Sequence, residues 1–176
     1  ITIQYCESHH NSSGMSTGCD GLGFDLDGGV ANSTLQYCYS HDNDGAGILL
    51  GNFTGARPWS NNTVRYNLSV NDARTNNSAV TLFTATNTAW NGLQFYNNTI
   101  YVTPSIKNKT PEFGAFQMTN FGLSMNGVEC YNNIFQTIGG LPLITVPTVF
   151  TSQNPKFIGN LYFSSGQLFS ITYGYK

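Results

Sequence analysis

The sequence predicts an all-β chain, a right-handed parallel β-helix of about six coils, and three observations carry that expectation. A motif recurs six times at a nearly constant interval, centred on a tyrosine in its first five copies. Short runs of alternating apolar residues separate the copies, and no window sustains the 3.6-residue apolar period of a helix. The 176 residues suffice for one continuous core, so a single β-helix domain over 1–176 is expected.

The copies read ITIQYCESHHNS from Ile1, STLQYCYSHDND from Ser33, NTVRYNLSVNDA from Asn62, GLQFYNNTIYVT from Gly92 and GVECYNNIFQTI from Gly127, with a weaker PKFIGNLYF from Pro155. Anchored on the apolar residue at the head of each motif, the coils begin near Ile3, Leu35, Val64, Leu93, Val128 and Phe157, in steps of 32, 29, 29, 35 and 29. Fixed strands joined by loops of variable length give that drifting period. Between the copies lie GLGFDL, AGILLG, AVTLFT, GAFQMT, PLITV and LFSITY, so each repeat holds at least two strands. Neither strand can bury its apolar face alone, but coils stacked about 4.8 Å apart form parallel sheets around a closed core. Alternation turns Ile3 and Tyr5, Leu35 and Tyr37, and Val64 and Tyr66 inward, and leaves Gln4, Gln36 and Arg65 outside. In the fourth and fifth copies the Asn pair sits one place later, which allows a one-residue slip there.

Only 9 % of the residues are charged, against roughly 25 % in ordinary soluble domains, and Asn, Ser, Thr and Gly carry the polarity instead. A formal charge of −2 gives no footprint for nucleic acid, and no apolar run is long enough for membrane insertion. Eight sequons, at Asn11, Asn32, Asn52, Asn61, Asn67, Asn76, Asn97 and Asn108, point to a secreted, N-glycosylated protein. Asn67 carries a conflict, because an internal Asn stack must be buried whereas a glycosylated Asn must face solvent. Four cysteines suit an oxidising compartment. Cys6 and Cys38 occupy equivalent positions in successive coils and are expected to form a disulfide, whereas Cys19 and Cys130 have no evident partner. Neither end carries a recognisable cap, so the chain is expected to be a fragment of a longer protein or to stack end to end with copies of itself.

The segment GFDLDGGVANSTLQYCYSHDNDGAGILL, followed by TVRYNLSVND and LQFYNNTIYV, resembles the right-handed β-helix repeat proteins of the pectate-lyase-like superfamily. The resemblance covers nearly the whole chain as a repeat pattern and is most specific between Gly23 and Leu50. It implies the fold; lyases, hydrolases, epimerases and non-catalytic surface proteins all share it, so it does not select an activity.

All three histidines and five of the six aspartates fall in the first 44 residues. Stacking Ser8-His9-His10-Asn11 on Ser40-His41-Asp42-Asn43 lays His9 over His41 and His10 over Asp42. Asp25 and Asp27 share a face of the intervening strand. Such a set can bind Ca²⁺ through carboxylate oxygens, or pair a His with an acid for proton transfer on a polysaccharide. The candidate catalytic residues are Asp25, Asp27, His41, Asp42 and Asp44, with Arg65 one coil later as the charge clamp. The bland alternative is that Asp, Asn and His build the tight turns every solenoid needs. Two functions follow: a secreted module of a larger matrix, surface or filament protein with a structural or glycan-interacting role, whose partners are glycans or extracellular polysaccharide, or a polysaccharide lyase, glycoside hydrolase or uronate epimerase with its site on the outer face of the first two coils. Outward aromatics, Trp59, Trp90, Tyr96 and Tyr101, are candidates for stacking on sugar rings.

Overall fold

The computed structural model describes residues 1–13, 20–85, 90–105, 107, 113–119, 124–151, 153–166 and 170–175. The first coil comprises β1 (Thr2–Gln4), β2 (Glu7–His9) and β3 (Phe24–Leu26), and the second β4 (Thr34–Gln36), β5 (Tyr39–His41) and β6 (Ile48–Asn52). The third holds β7 (Trp59–Arg65), β8 (Leu68–Val70) and β9 (Val80–Thr84); the fourth β10 (Trp90–Tyr96), β11 (Thr99–Val102) and β12 (Phe116–Met118). The fifth has β13 (Asn126–Tyr131), β14 (Ile134–Ile138) and β15 (Ile144–Pro147), then a single helical turn, α1 (Thr148–Thr151). The sixth closes with β16 (Lys156–Ile158), β17 (Leu161–Ser165) and β18 (Ile171–Tyr175). Every third strand pairs in parallel, giving three six-stranded sheets that begin at β1, β2 and β3. The chain is a parallel β-solenoid.

Each coil therefore has three strands, because the tyrosine-centred motif contains two, bent at its middle. The bend residues Tyr5, Tyr37, Tyr66, Asn97, Asn132 and Gly159 form one column with φ of 56°, 53°, 57°, 54°, 55° and 64°. That left-handed backbone suits Gly and Asn and is uncommon for Tyr. It also breaks the alternation, so the expectation that Tyr5, Tyr37 and Tyr66 point inward fails. Ile3, Leu35 and Val64 do face the core, but the tyrosines stand outside, 75 %, 45 % and 41 % exposed, and stack at 5.4 and 5.1 Å. The column then hands over, edge to face, to Tyr96, which pairs with Arg65 one place earlier and stacks on its own partner Tyr131. Counted from the tyrosines the displacement is one residue, but counted from the coil starts it is two. Val64 pairs with Phe95 and Phe95 with Cys130, two places beyond the expected Leu93 and Val128. A shift of two preserves the facing, so all four side chains are buried.

The residue after each bend forms an asparagine ladder. Asn67, Asn98, Asn133 and Asn160 succeed one another, each of the first three donating from its backbone N–H and its Nδ2 to the next Oδ1 at 2.9 to 3.1 Å. Nδ2 also donates to a carbonyl of the coil before: Asn67 to Leu35, Asn98 to Val64, Asn133 to Phe95 and Asn160 to Cys130. At this corner the chain leaves one sheet for the next, and the side chains take up backbone groups that no strand satisfies. A second, shorter ladder, Asn11, Asn43 and Asp72, lines the corner between the second and third sheets.

Cys6 and Cys38 head the first ladder's column, as expected, but the expected disulfide is not formed. Both are free thiols, with Sγ donating to the carbonyl two residues back, to Gln4 at 3.3 Å and Gln36 at 3.2 Å. The backbone N–H of Cys38 is taken by Asn67 Oδ1 instead. Cys130 is a core residue, and Cys19 lies outside the described residues. Trp59 and Trp90 are also in the core, 0 % and 1 % exposed and stacked at 3.8 Å, so neither is available to a sugar. Burial of each such side chain contributes about 1.5–3 kcal/mol.

Candidate functional site

The first two coils carry two distinct groups of ionisable residues on different faces. The first is a cleft of about 390 Å³ on the outside of the third sheet. In β3, Phe24 and Leu26 turn to the core and Asp25 outward, and Asp27 follows just before a turn made by Gly28 and Gly29 at φ 60° and 80°. Asp25 pairs with Leu49 and Leu49 with Thr81, so a carboxylate, an aliphatic side chain and a hydroxyl succeed one another along the cleft. One column on, Gly51 pairs with Phe83, and any Cβ at Gly51 would collide with the Phe83 ring. The ring fills the space a side chain would take and walls the cleft beside Leu22 and Leu49, with Asp20 as a third acid.

Crowding of acids against apolar walls changes their protonation. Desolvation chiefly, with the like charges of Asp27 and Asp20, pushes Asp25 from 3.8 up to about 6. Asp27 is raised too, by desolvation, but the Gly28 N–H donates to its Oδ1 at 2.6 Å and works the other way. Both carboxyls are thus held above the usual carboxylate range by burial, and Asp25 keeps its proton to near-neutral pH. No Lys or Arg among the described residues lines the cleft. Among the described residues, one group of three His, Cys, Asp or Glu side chains is gathered closely enough to hold a metal ion; it lies away from this cleft and contains two imidazoles, which suit calcium poorly.

That set is on the second sheet. His9 pairs with His41 as expected, and the rings stack at 4.8 Å and 11°. His10 and Asp42, next along, both take φ of 54°. His41 Nδ1 lies 2.8 Å from Asp42 Oδ2 and Nε2 lies 3.1 Å from Glu7 Oε1. Hydrogen bonding to Asp42, and secondarily to Glu7, raises the His41 pKa above 6.5.

The expected catalytic set is therefore divided. Asp25 and Asp27 lie on the third sheet, His41 and Asp42 on the second, and Arg65 on the first, where its Nε donates to Gln36 Oε1 at 2.8 Å and its guanidinium to the Tyr96 hydroxyl at 2.9 Å. Asp44 ties down a turn, accepting from Ser13 N–H and from Lys107 Nζ at 3.0 Å, which holds its carboxyl below the usual range despite some desolvation. A single proton-transfer constellation uniting the six does not exist. Phe83 and Leu49 were missed, and the signal for Phe83 was its alignment with Gly51.

The sequons divide as well. Asn32, Asn61 and Asn97 are exposed, each in left-handed backbone. Asn11 is exposed but is a rung of the second ladder, and Asn76 is half-buried with Nδ2 donating to Ser13 Oγ. Asn52 and Asn67 are buried, 0 % and 4 % exposed, which removes both as glycan carriers in the folded chain and resolves the Asn67 conflict in favour of the ladder. Asn108 lies outside the described residues. Among the described residues no helix is long and apolar enough to cross a membrane.

The fold and these two clusters define a parallel β-solenoid with a carboxylate-lined cleft and a histidine cluster. No family model, curated protein or solved structure matches the chain.

Proposed function

We propose that this chain is a glycan-interacting module of a secreted β-solenoid protein of the pectate-lyase-like superfamily, and that neutral polysaccharide sits in the cleft of the third sheet. The observation that carries the reading is the cleft itself. Sugar rings present apolar C–H faces bordered by hydroxyls, and Leu22, Leu49 and Phe83 beside Asp20, Asp25 and Asp27 offer apolar contact bordered by strong acceptors. The exposed sequons at Asn32, Asn61 and Asn97 suit an extracellular setting. Three acids, with no cation lining the cleft among the described residues, disfavour polyuronates, which narrows the ligand class to uncharged sugars. Titration calorimetry against soluble glucan, xylan, mannan and polygalacturonate fragments tests this. Binding of a neutral fragment that Phe83→Ala abolishes supports it; no neutral ligand, or binding indifferent to Phe83→Ala, refutes it.

One observation favours a second reading. Asp25, raised by burial, is suited to act as the acid of a glycoside hydrolase, with Asp27 two residues on as the second carboxyl. New reducing ends released from a neutral polysaccharide by the parent and lost in both Asp25→Asn and Asp27→Asn establish it. Absence of product across the same panel rejects it and leaves binding alone.

A further inference from the structure

We propose that Glu7, His9 and His41 bind a divalent transition-metal ion of the zinc or copper type. The parallel register creates the site. Glu7 and His9 lie two residues apart on β2 and share its outer face, and pairing of His9 with His41 brings the second imidazole alongside from β5. One donor atom from each of the three lies within 4.8 Å of the other two.

The surroundings assign the donor atoms. His41 Nδ1 is engaged by Asp42 Oδ2 at 2.8 Å, the carboxylate–imidazole contact that orients a metal-binding histidine and leaves Nε2 for the ion. His41 Nε2 and Glu7 Oε1 already face each other at 3.1 Å, a separation one shared cation accommodates. His9 Nδ1 is engaged by His10 Nδ1 at 2.8 Å, so Nε2 is its free donor. Bonds of about 2.0–2.1 Å require the His9 ring to turn towards Glu7, which its exposed position allows. The groups facing the set are Glu7, His9 and His10 from the first coil and Tyr39, His41 and Asp42 from the second, with the Tyr39 ring stacked on His41 at 4.4 Å. Two imidazoles and one carboxylate select zinc or copper over calcium and magnesium and leave a position open for water or an exogenous ligand.

The test uses the full chain, freed of metal with chelator, titrated separately with Cu²⁺ and Zn²⁺ at neutral pH. Expected are one Cu²⁺ per chain with micromolar affinity, an electron paramagnetic resonance spectrum showing two coupled imidazole nitrogens, displacement by Zn²⁺ and no displacement by excess Ca²⁺. His9→Ala and His41→Ala should each weaken binding at least tenfold and reduce the coupled nitrogens to one, and Glu7→Gln should weaken it less with both nitrogens retained. Because His41→Ala also loses two ion pairs, His9→Ala, on the exposed strand, is the deciding variant. Undiminished binding in His9→Ala, displacement by Ca²⁺, or no saturable binding overturns the proposal.

Discussion

Replacing Asn98 by alanine isolates the contribution of the asparagine ladder. The Asn98 side chain accepts from both the backbone N–H and the Nδ2 of Asn67 at 3.0 Å, and its own Nδ2 donates to Val64 O and Asn133 Oδ1 at 3.0 and 3.1 Å. It is 1 % exposed. Truncation strands two N–H groups of Asn67 in a position where water has little access. An unpaired buried polar group costs about 1–3 kcal/mol, so with partial relaxation the expected loss is about 3–5 kcal/mol. The neighbouring Asn97→Ala is the control: Asn97 is exposed, and its φ of 54° makes alanine unfavourable by only about 1–2 kcal/mol. Urea unfolding followed by far-ultraviolet circular dichroism gives both values if the slopes agree, and hydrogen exchange at the Asn67 amide reports the local opening. A loss below about 1 kcal/mol for Asn98→Ala, or equal losses for the two variants, would refute the ladder argument.

Three further outcomes follow from the same geometry. After expression through a eukaryotic secretory pathway, peptide mapping of the folded fraction should find glycan at Asn32, Asn61 or Asn97 and none at Asn52 or Asn67; an occupied Asn67 in folded chain contradicts its burial. The raised Asp25 carboxyl disfavours its charged form in the fold, so its penalty is absent below its unfolded value of 3.8 and grows as pH rises through about 6. Thermal melts should accordingly show Asp25→Asn equal to the parent at acid pH and more stable at neutral pH, and the reverse order would mean that Asp25 is stabilised as an anion. Gly47→Ala would drive a Cβ into the Asp72 carboxylate and Ser69 Oγ; a loss above about 2 kcal/mol is expected in urea unfolding, and a neutral result would show that the second ladder tolerates displacement.

The third sheet was legible strand by strand, since each of the six apolar runs between the motifs became one of its strands. The bend inside the motif was not, because tyrosine is no turn residue and only the structure reveals three tyrosines in left-handed backbone. Missing that corner merged two strands into one and turned the tyrosines inward. The same omission misjudged the site. Asp25, His41 and Arg65 are near in sequence, but one corner per repeat was unseen, and three corners per coil send them to three faces. The pairing of His9 with His41 survived because it required only the distance between coils, not the shape of one.

The hand-over of the tyrosine stack from Tyr66 to Tyr96 constrains anyone who would shorten this protein by a whole unit. Judged by resemblance, Tyr66 and Tyr96 are the same part and invite a splice between them. Judged by position, the part equivalent to Asn67 is Asn98, 31 residues on, so the clean excision joins Tyr66 directly to Asn98. Cutting by resemblance removes one residue fewer, and that extra residue would reverse the facing of the strand that follows, turning Ile100 out to solvent and Tyr101 into the core. Interchangeable units in this chain are marked by their buried amides rather than by their most conspicuous side chain.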